Sequence, residues 1–139
     1  MNTKDKLFKL NISEDDTCYI CGMNSESIDH IFFGCHYIKA TILHVGAWIE
    51  IRLPFRDVLR WRLEKMGTRV QKDIQNATLN ACVYHIWRQR NLSRHDLTLL
   101  HPQKLALLII EELRLRIEGM DKRKLHASDK QWIQRLLQC

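Results

Sequence analysis

Long apolar runs and glycine are both scarce in this chain, and each scarcity excludes a class of function. The most apolar run, LALLII at residues 105–110, falls far short of the roughly 20 residues a membrane-spanning helix needs. The opening stretch MNTKDKLFKLNISEDD is charged throughout and does not read as a signal peptide. The expectation is an intracellular protein, in nucleus or cytoplasm, neither secreted nor bound to a membrane. Five glycines in 139 residues leave no glycine-rich phosphate loop, and no nucleophile sits in a recognisable elbow. Neither an enzyme nor a small-molecule substrate is expected. Alternating strand-like patterns, internal repeats and low-complexity tracts are equally scarce.

What is present is an ordinary globular composition, 45% hydrophobic and 27% charged. The length suits one compact unit. The net charge of +6 is uneven: residues 1–53 carry five basic and seven acidic side chains, and residues 54–139 carry seventeen and nine. The second part is therefore net +8, a candidate surface for an anionic partner, although arginine is also a good helix former.

That basic part reads as helices. LPFRDVLRWRLEKMG (53–67) opens near Pro54 and closes at Gly67, with Val58, Leu59, Trp61 and Leu63 as its apolar surface. Residues 68–91 repeat apolar positions at Val70, Ile74, Ala77 and Ala81, then crowd Cys82, Val83, Ile86 and Trp87, which predicts a long helix with a buried middle and Trp87 in the core. Residues 101–120 place Pro102 in a first turn and Leu105, Leu108, Ile109, Leu113 and Ile117 at helical spacing. Residues 128–139 form a last helix with Ser128 as N-cap. AWIEIRL (47–53) alternates enough to predict a short extended piece.

Residues 17–37, TCYICGMNSESIDHIFFGCHY, hold three of the five cysteines and two of the seven histidines. Cys18, Cys21, His30 and Cys35 are spaced C-x2-C-x8-H-x4-C. Gly22 after the C-x-x-C pair accepts a positive φ, so both sulfurs can turn to one centre. A short loop or half-helix then brings the imidazole and third thiolate to the same point. Three thiolates and one neutral imidazole complete a tetrahedral Zn2+ site with no position open for water, which makes one structural zinc the expectation. Ile31, Phe32 or Phe33 would turn inward to anchor the module. A redox pair would sit in a βαβ context that is not read here, buried free thiols are the plainer account, and His36 is a possible substitute for Cys35 or His30. Cys82 reads as a core residue, Cys139 as a free thiol, and His85, one turn from Cys82, as a buried helix histidine rather than a ligand.

At these residues the chain resembles the zinc-binding domain that follows the reverse transcriptase of plant LINE-type, non-LTR retrotransposons. The resemblance rests on Thr3, Lys4 and Leu7 at the start, on Glu26, Ser27, His30, Ile31, Phe32, Phe33 and Cys35 in the middle, and on Trp87, Arg90 and Asn91 beyond, so it spans roughly residues 3–95. Nothing resembles the Tyr-x-Asp-Asp motif of a polymerase. The resemblance implies a stand-alone or domesticated fragment.

The resulting expectation is a mainly α protein, a small Cys3His zinc module (1–53) packed on a bundle of about four helices (54–139) as one compact unit. It would bind nucleic acid, RNA or DNA, with Arg60, Arg62, Arg88, Arg90, Arg94, Lys122, Arg123 and Lys124 neutralising phosphates and Tyr19, Phe33 or Tyr37 stacking on bases where exposed. From a different class, the leucine-rich run LALLIIEELRLRI (105–117), either buried on two sides or sticky on one, would let the fragment bind a partner protein or itself as a regulator, inhibitor or antidote.

Overall fold

The computed structural model describes residues 2–50, 67–95 and 98–138. These are mostly helical: α1 (Lys4–Lys9), one wide π-type turn (His30–Gly34), α2 (His36–Ile49), α3 (Arg69–Arg94), α4 (Pro102–Glu118) and α5 (Ala127–Gln138). The only extended pairing among the described residues is a single antiparallel bridge, Thr17 to Ser25.

The ends of α3 and α4 follow from local chemistry. Thr68 and Gln71 form a reciprocal capping box at the start of α3, each side chain bonded to the other's backbone N–H at 3.2 Å. Gly67 precedes it with φ of +115°. Pro102 sits in the first turn of α4, where its missing N–H costs nothing, behind a His101 cap.

Helix α4 is the hub of the fold, packing against α2, α3 and α5. Leu105, Ala106, Ile109, Ile110, Leu113 and Ile117 line its inward face. Each buried Leu or Ile there contributes about 1.5–3 kcal/mol. The leucine-rich run is thus a core helix, with Leu107, Leu108 and Leu115 left on its outer side at 57%, 47% and 68% exposure.

Two apolar clusters form. The larger joins Cys18, Ile20, Ile31 and Cys35 to Ile38, Ile42 and Val45 of α2, Ala81, Cys82 and Ile86 of α3, and Leu105 to Leu113 of α4. The smaller, at the opposite end of α4, joins Ile49, Ile74, Ile117, Trp132, Ile133 and Leu136. Trp48 touches both and donates its indole N–H to the Leu136 carbonyl at 3.0 Å.

Three expectations are corrected. Trp48 and Ile49 belong to α2, not to an extended piece, because Tyr37, Ile38, Thr41, Ile42, Val45 and Ile49 recur at helical spacing on one buried face. That helix ends at Glu50 in the left-handed conformation, φ 61°. Helix α5 begins at Ala127, so Ser128 lies inside it; the buried carboxylate of Asp129 in its first turn accepts the Thr68 hydroxyl at 3.0 Å, a favourable place for negative charge. Trp87 is half-buried and absent from both clusters. Residues 53–66 of the helix expected over 53–67, the residues Ile51 and Leu53 of the extended piece, and Cys139 lie outside the described residues.

Candidate metal centre

The Cys3His cluster is built on two short pieces of backbone. In the first, the Cys18 N–H donates to Asn24 O (2.7 Å) and the Gly22 N–H to Cys18 O (2.9 Å), closing a tight loop that Gly22 completes with φ of +66°. In the second, the π-type turn carries His30 and delivers Cys35, whose N–H donates to His30 O at 2.6 Å. Ser27 starts this turn by accepting the His30 N–H on its hydroxyl at 3.0 Å. Ile31 points wholly into the core, and Phe32 packs partly against it.

These pieces bring the Cys18, Cys21 and Cys35 sulfurs and a His30 ring nitrogen within 4.8 Å of one another. The Cys21 sulfur lies 3.3 Å from His30 Nε2. A tetrahedral zinc, with Zn–S about 2.3 Å and Zn–N about 2.0 Å, spaces its donors roughly 3.5–3.8 Å apart, so the cluster fits that ion with small shifts. Burial pushes His30 below its ordinary value, which keeps the imidazole neutral with a lone pair to give. The hydrogen bond from Cys18 holds the Cys35 thiol low; giving that bond, together with burial, drives Cys18 up. One thiolate is therefore stabilised within the cluster itself, and a bound cation would ionise its neighbours.

Gly34 has a specific job here. A Cβ at this position would lie 3.1 Å from His30 Nδ1, tighter than ordinary van der Waals contact, so glycine is what lets the turn close over the imidazole.

The structure also brings together residues 64 positions apart. Glu26, between the two halves of the cluster, is 0% exposed, and Arg90 of α3 is 1% exposed. Glu26 Oε1 accepts from Arg90 Nε at 3.1 Å and from Nη2 at 2.5 Å, and also from the Lys4 N–H at 2.9 Å. Its other oxygen accepts the Tyr19 N–H at 3.2 Å. Arg90 also donates to Asn2 O (3.1 Å) and Asn91 Oδ1 (3.3 Å), with its guanidinium 5.1 Å from the ring centres of both Tyr19 and Trp87. Glu26 of the N-terminal loop and Trp87, Arg90 and Asn91 of α3 thus meet around one buried ion pair. A lone glutamate and an arginine in a polar helix carry no sign of this in their local sequence.

Several sequence-predicted contacts change accordingly. Arg90 is not a surface cation, because its charge is consumed inside. Tyr19 lies between Lys4 Nζ (4.5 Å from the ring centre) and Arg90, and Tyr37 is buried, its phenol raised to about 12 first by burial and then by Cys35, so neither offers a face to a base. Phe33 is half-buried beside Phe32. Arg88, Arg94 and Lys124 are exposed, Arg123 is exposed and paired with Asp121 at 2.8 Å, and Lys122 donates to Glu118 O at 2.9 Å. Arg60 and Arg62 lie outside the described residues. His36 is exposed and lies outside the cluster. Cys82 is a buried thiol pushed to about 12 by burial, and His85 bonds Glu112 of α4 at 2.7 Å rather than joining Cys82.

Fold and site together define a helical protein with an N-terminal Cys3His cluster. Residues 1–41 match the family model described as zinc-binding in reverse transcriptase, and this segment is similar to that domain rather than to the catalytic part of the polymerase. No curated protein and no solved structure matches the chain. No helix among the described residues is long and apolar enough to cross a membrane.

Proposed function

We propose that Cys18, Cys21, His30 and Cys35 hold one structural Zn2+ and that the chain is a non-catalytic module, made from a retrotransposon reverse transcriptase, that binds RNA or DNA through its basic helical surface. The convergence of four donors within 4.8 Å carries the zinc reading. All four positions of a tetrahedral ion are then filled by protein, so the metal organises the fold and activates no water. Metal analysis of freshly purified, reduced protein should find one zinc per chain; none would refute the reading.

Support for nucleic-acid binding comes from the family description of residues 1–41, the net charge of +6 and the exposed cations Arg88, Arg94, Arg123 and Lys124. Arg88→Ala with Arg94→Ala should weaken binding to unrelated duplexes alike and reduce the salt slope by roughly two. A folded double variant with an unchanged slope removes α3 from the site. The second reading, a protein partner or self-association in nucleus or cytoplasm, is favoured by the outward Leu107, Leu108 and Leu115 on α4. Salt-tolerant, stoichiometric co-purification of a protein would decide for it.

A further inference from the structure

We infer that Arg90 is a positioning residue for the metal centre, so that metal affinity and the burial of α3 against the Cys3His loop are one coupled equilibrium; this rests on the zinc reading above. Glu26 lies outside the donor set, yet its two carboxylate oxygens gather the N–H groups of Lys4 and Tyr19, and Tyr19 directly follows the ligand Cys18. Its own N–H donates to Asp16 O at 2.7 Å, and its carbonyl accepts the Asp5 N–H at 3.1 Å. Glu26 is therefore the knot of the loop that carries two of the four ligands.

A carboxylate with no solvent exposure is tenable only with a cation beside it, because desolvating an unpaired charge costs several kcal/mol. Arg90 is that cation, bonded through both Nε and Nη2. Removing it leaves the Glu26 carboxylate without its partner and driven to turn toward water. That movement slackens its bonds to Tyr19 and Lys4 and loosens the loop at Cys18. Groups that orient metal ligands from outside the coordination sphere typically change affinity 10–100-fold when removed. The coupling is reciprocal: a metal that holds the loop closed must stabilise the buried state of Arg90 by the same factor.

The test uses the full chain and zinc in competition with a chelator of known affinity. Wild type, Arg90→Met, Arg90→Lys, Glu26→Gln and the double variant Glu26→Gln with Arg90→Met are compared with Ile133→Ala, a core truncation in the other apolar cluster. Affinity should fall about 10–100-fold in Arg90→Met and Glu26→Gln and less in Arg90→Lys, and the double variant should be no weaker than the worse single. The zinc-induced rise in melting temperature should shrink with the logarithm of the affinity loss, while Ile133→Ala melts earlier yet keeps its zinc affinity. If Arg90→Met does not fold without metal, Arg90→Lys carries the comparison. Folded Arg90 variants that hold zinc within twofold of wild type, or an Ile133→Ala protein that loses affinity equally, would overturn the coupling. A wild type that binds no zinc would overturn the metal reading with it.

Discussion

The two ends of the bundle are held by different forces. Around Ile31 and Cys35, sulfur, imidazole and a dry ion pair are set into apolar packing, and much of the backbone there is loop. Around Trp132, Ile133 and Leu136, regular helices meet through apolar side chains, with Trp48 Nε1 and Arg114 Nε both reaching the Leu136 carbonyl at the edge. The difference follows from what each segment has to bury. Helices α4 and α5 come with apolar faces wide enough to close on each other. The stretch between residues 10 and 30 has few apolar side chains turned inward, so its order rests on turns, on the Glu26–Arg90 contact and, on the zinc reading proposed above, on coordination.

The largest expected effect is at the metal end. Cys35→Ser should abolish zinc binding, and structural zinc is worth about 10–16 kcal/mol in small finger peptides. Because Cys18, Ile31 and Cys35 share one apolar cluster with α2 and α4, the damage should spread beyond the loop. Hydrogen exchange should become fast across residues 16–45 while residues 127–138 keep their protection. Equal loss in both regions would show that the ends fold as one unit and dissolve the contrast.

Trp132→Ala is the mirror experiment. Truncating this buried ring should cost about 3–5 kcal/mol by denaturant titration and leave the metal content at one per chain. Loss of zinc in the folded variant would join the two ends energetically.

A gentler pair of changes compares two glycines. Gly34→Ala should crowd His30 and lower zinc affinity about tenfold, close to 1.4 kcal/mol, in a competition assay. At Gly119 a Cβ would meet Leu115 O at 3.6 Å with φ of −74°, so Gly119→Ala should be tolerated and leave affinity unchanged. Matching effects at both positions would remove the special role of Gly34.

The smallest effect concerns the link between α3 and α4. His85, first through its hydrogen bond and then through its electrostatic attraction, holds Glu112 below the usual carboxylate range, with a smaller part from Arg116. A lowered folded value means that this contribution is present above the unfolded carboxyl range and is lost as pH falls through the folded one. Glu112 is partly exposed, so the contribution should be at most about 1 kcal/mol after solvent screening. The stability gap between wild type and Glu112→Gln should therefore narrow between pH 6 and pH 3; a gap that widens would contradict the assignment.

The legibility of the molecule follows the range of the forces. The four candidate ligands could be read because metal chemistry limits which side chains and spacings can converge, and α3 and α4 because apolar positions every three to four residues suit only a helix. Helix α2 was hidden by its own composition. Ile38, Thr41, Ile42, Val45 and Ile49 are β-branched, Gly46 weakens a helix further, and the alternation of Trp48, Ile49, Ile51 and Leu53 imitates a strand. Burial against α4 overrode that local preference.

By itself, the sequence determined the helical class and the sulfur and imidazole set that converges near the N-terminus, because both are written in spacings within one segment. Tertiary structure alone decided that Arg90 belongs to the interior, that Trp87 flanks its guanidinium, and that Gly34 makes room for His30. An arginine on a polar helix would ordinarily face water. It is buried here because the packing of α3 on the π-type turn brings it against a glutamate 64 residues away, itself with no access to solvent, and a buried charge left unpaired is costly.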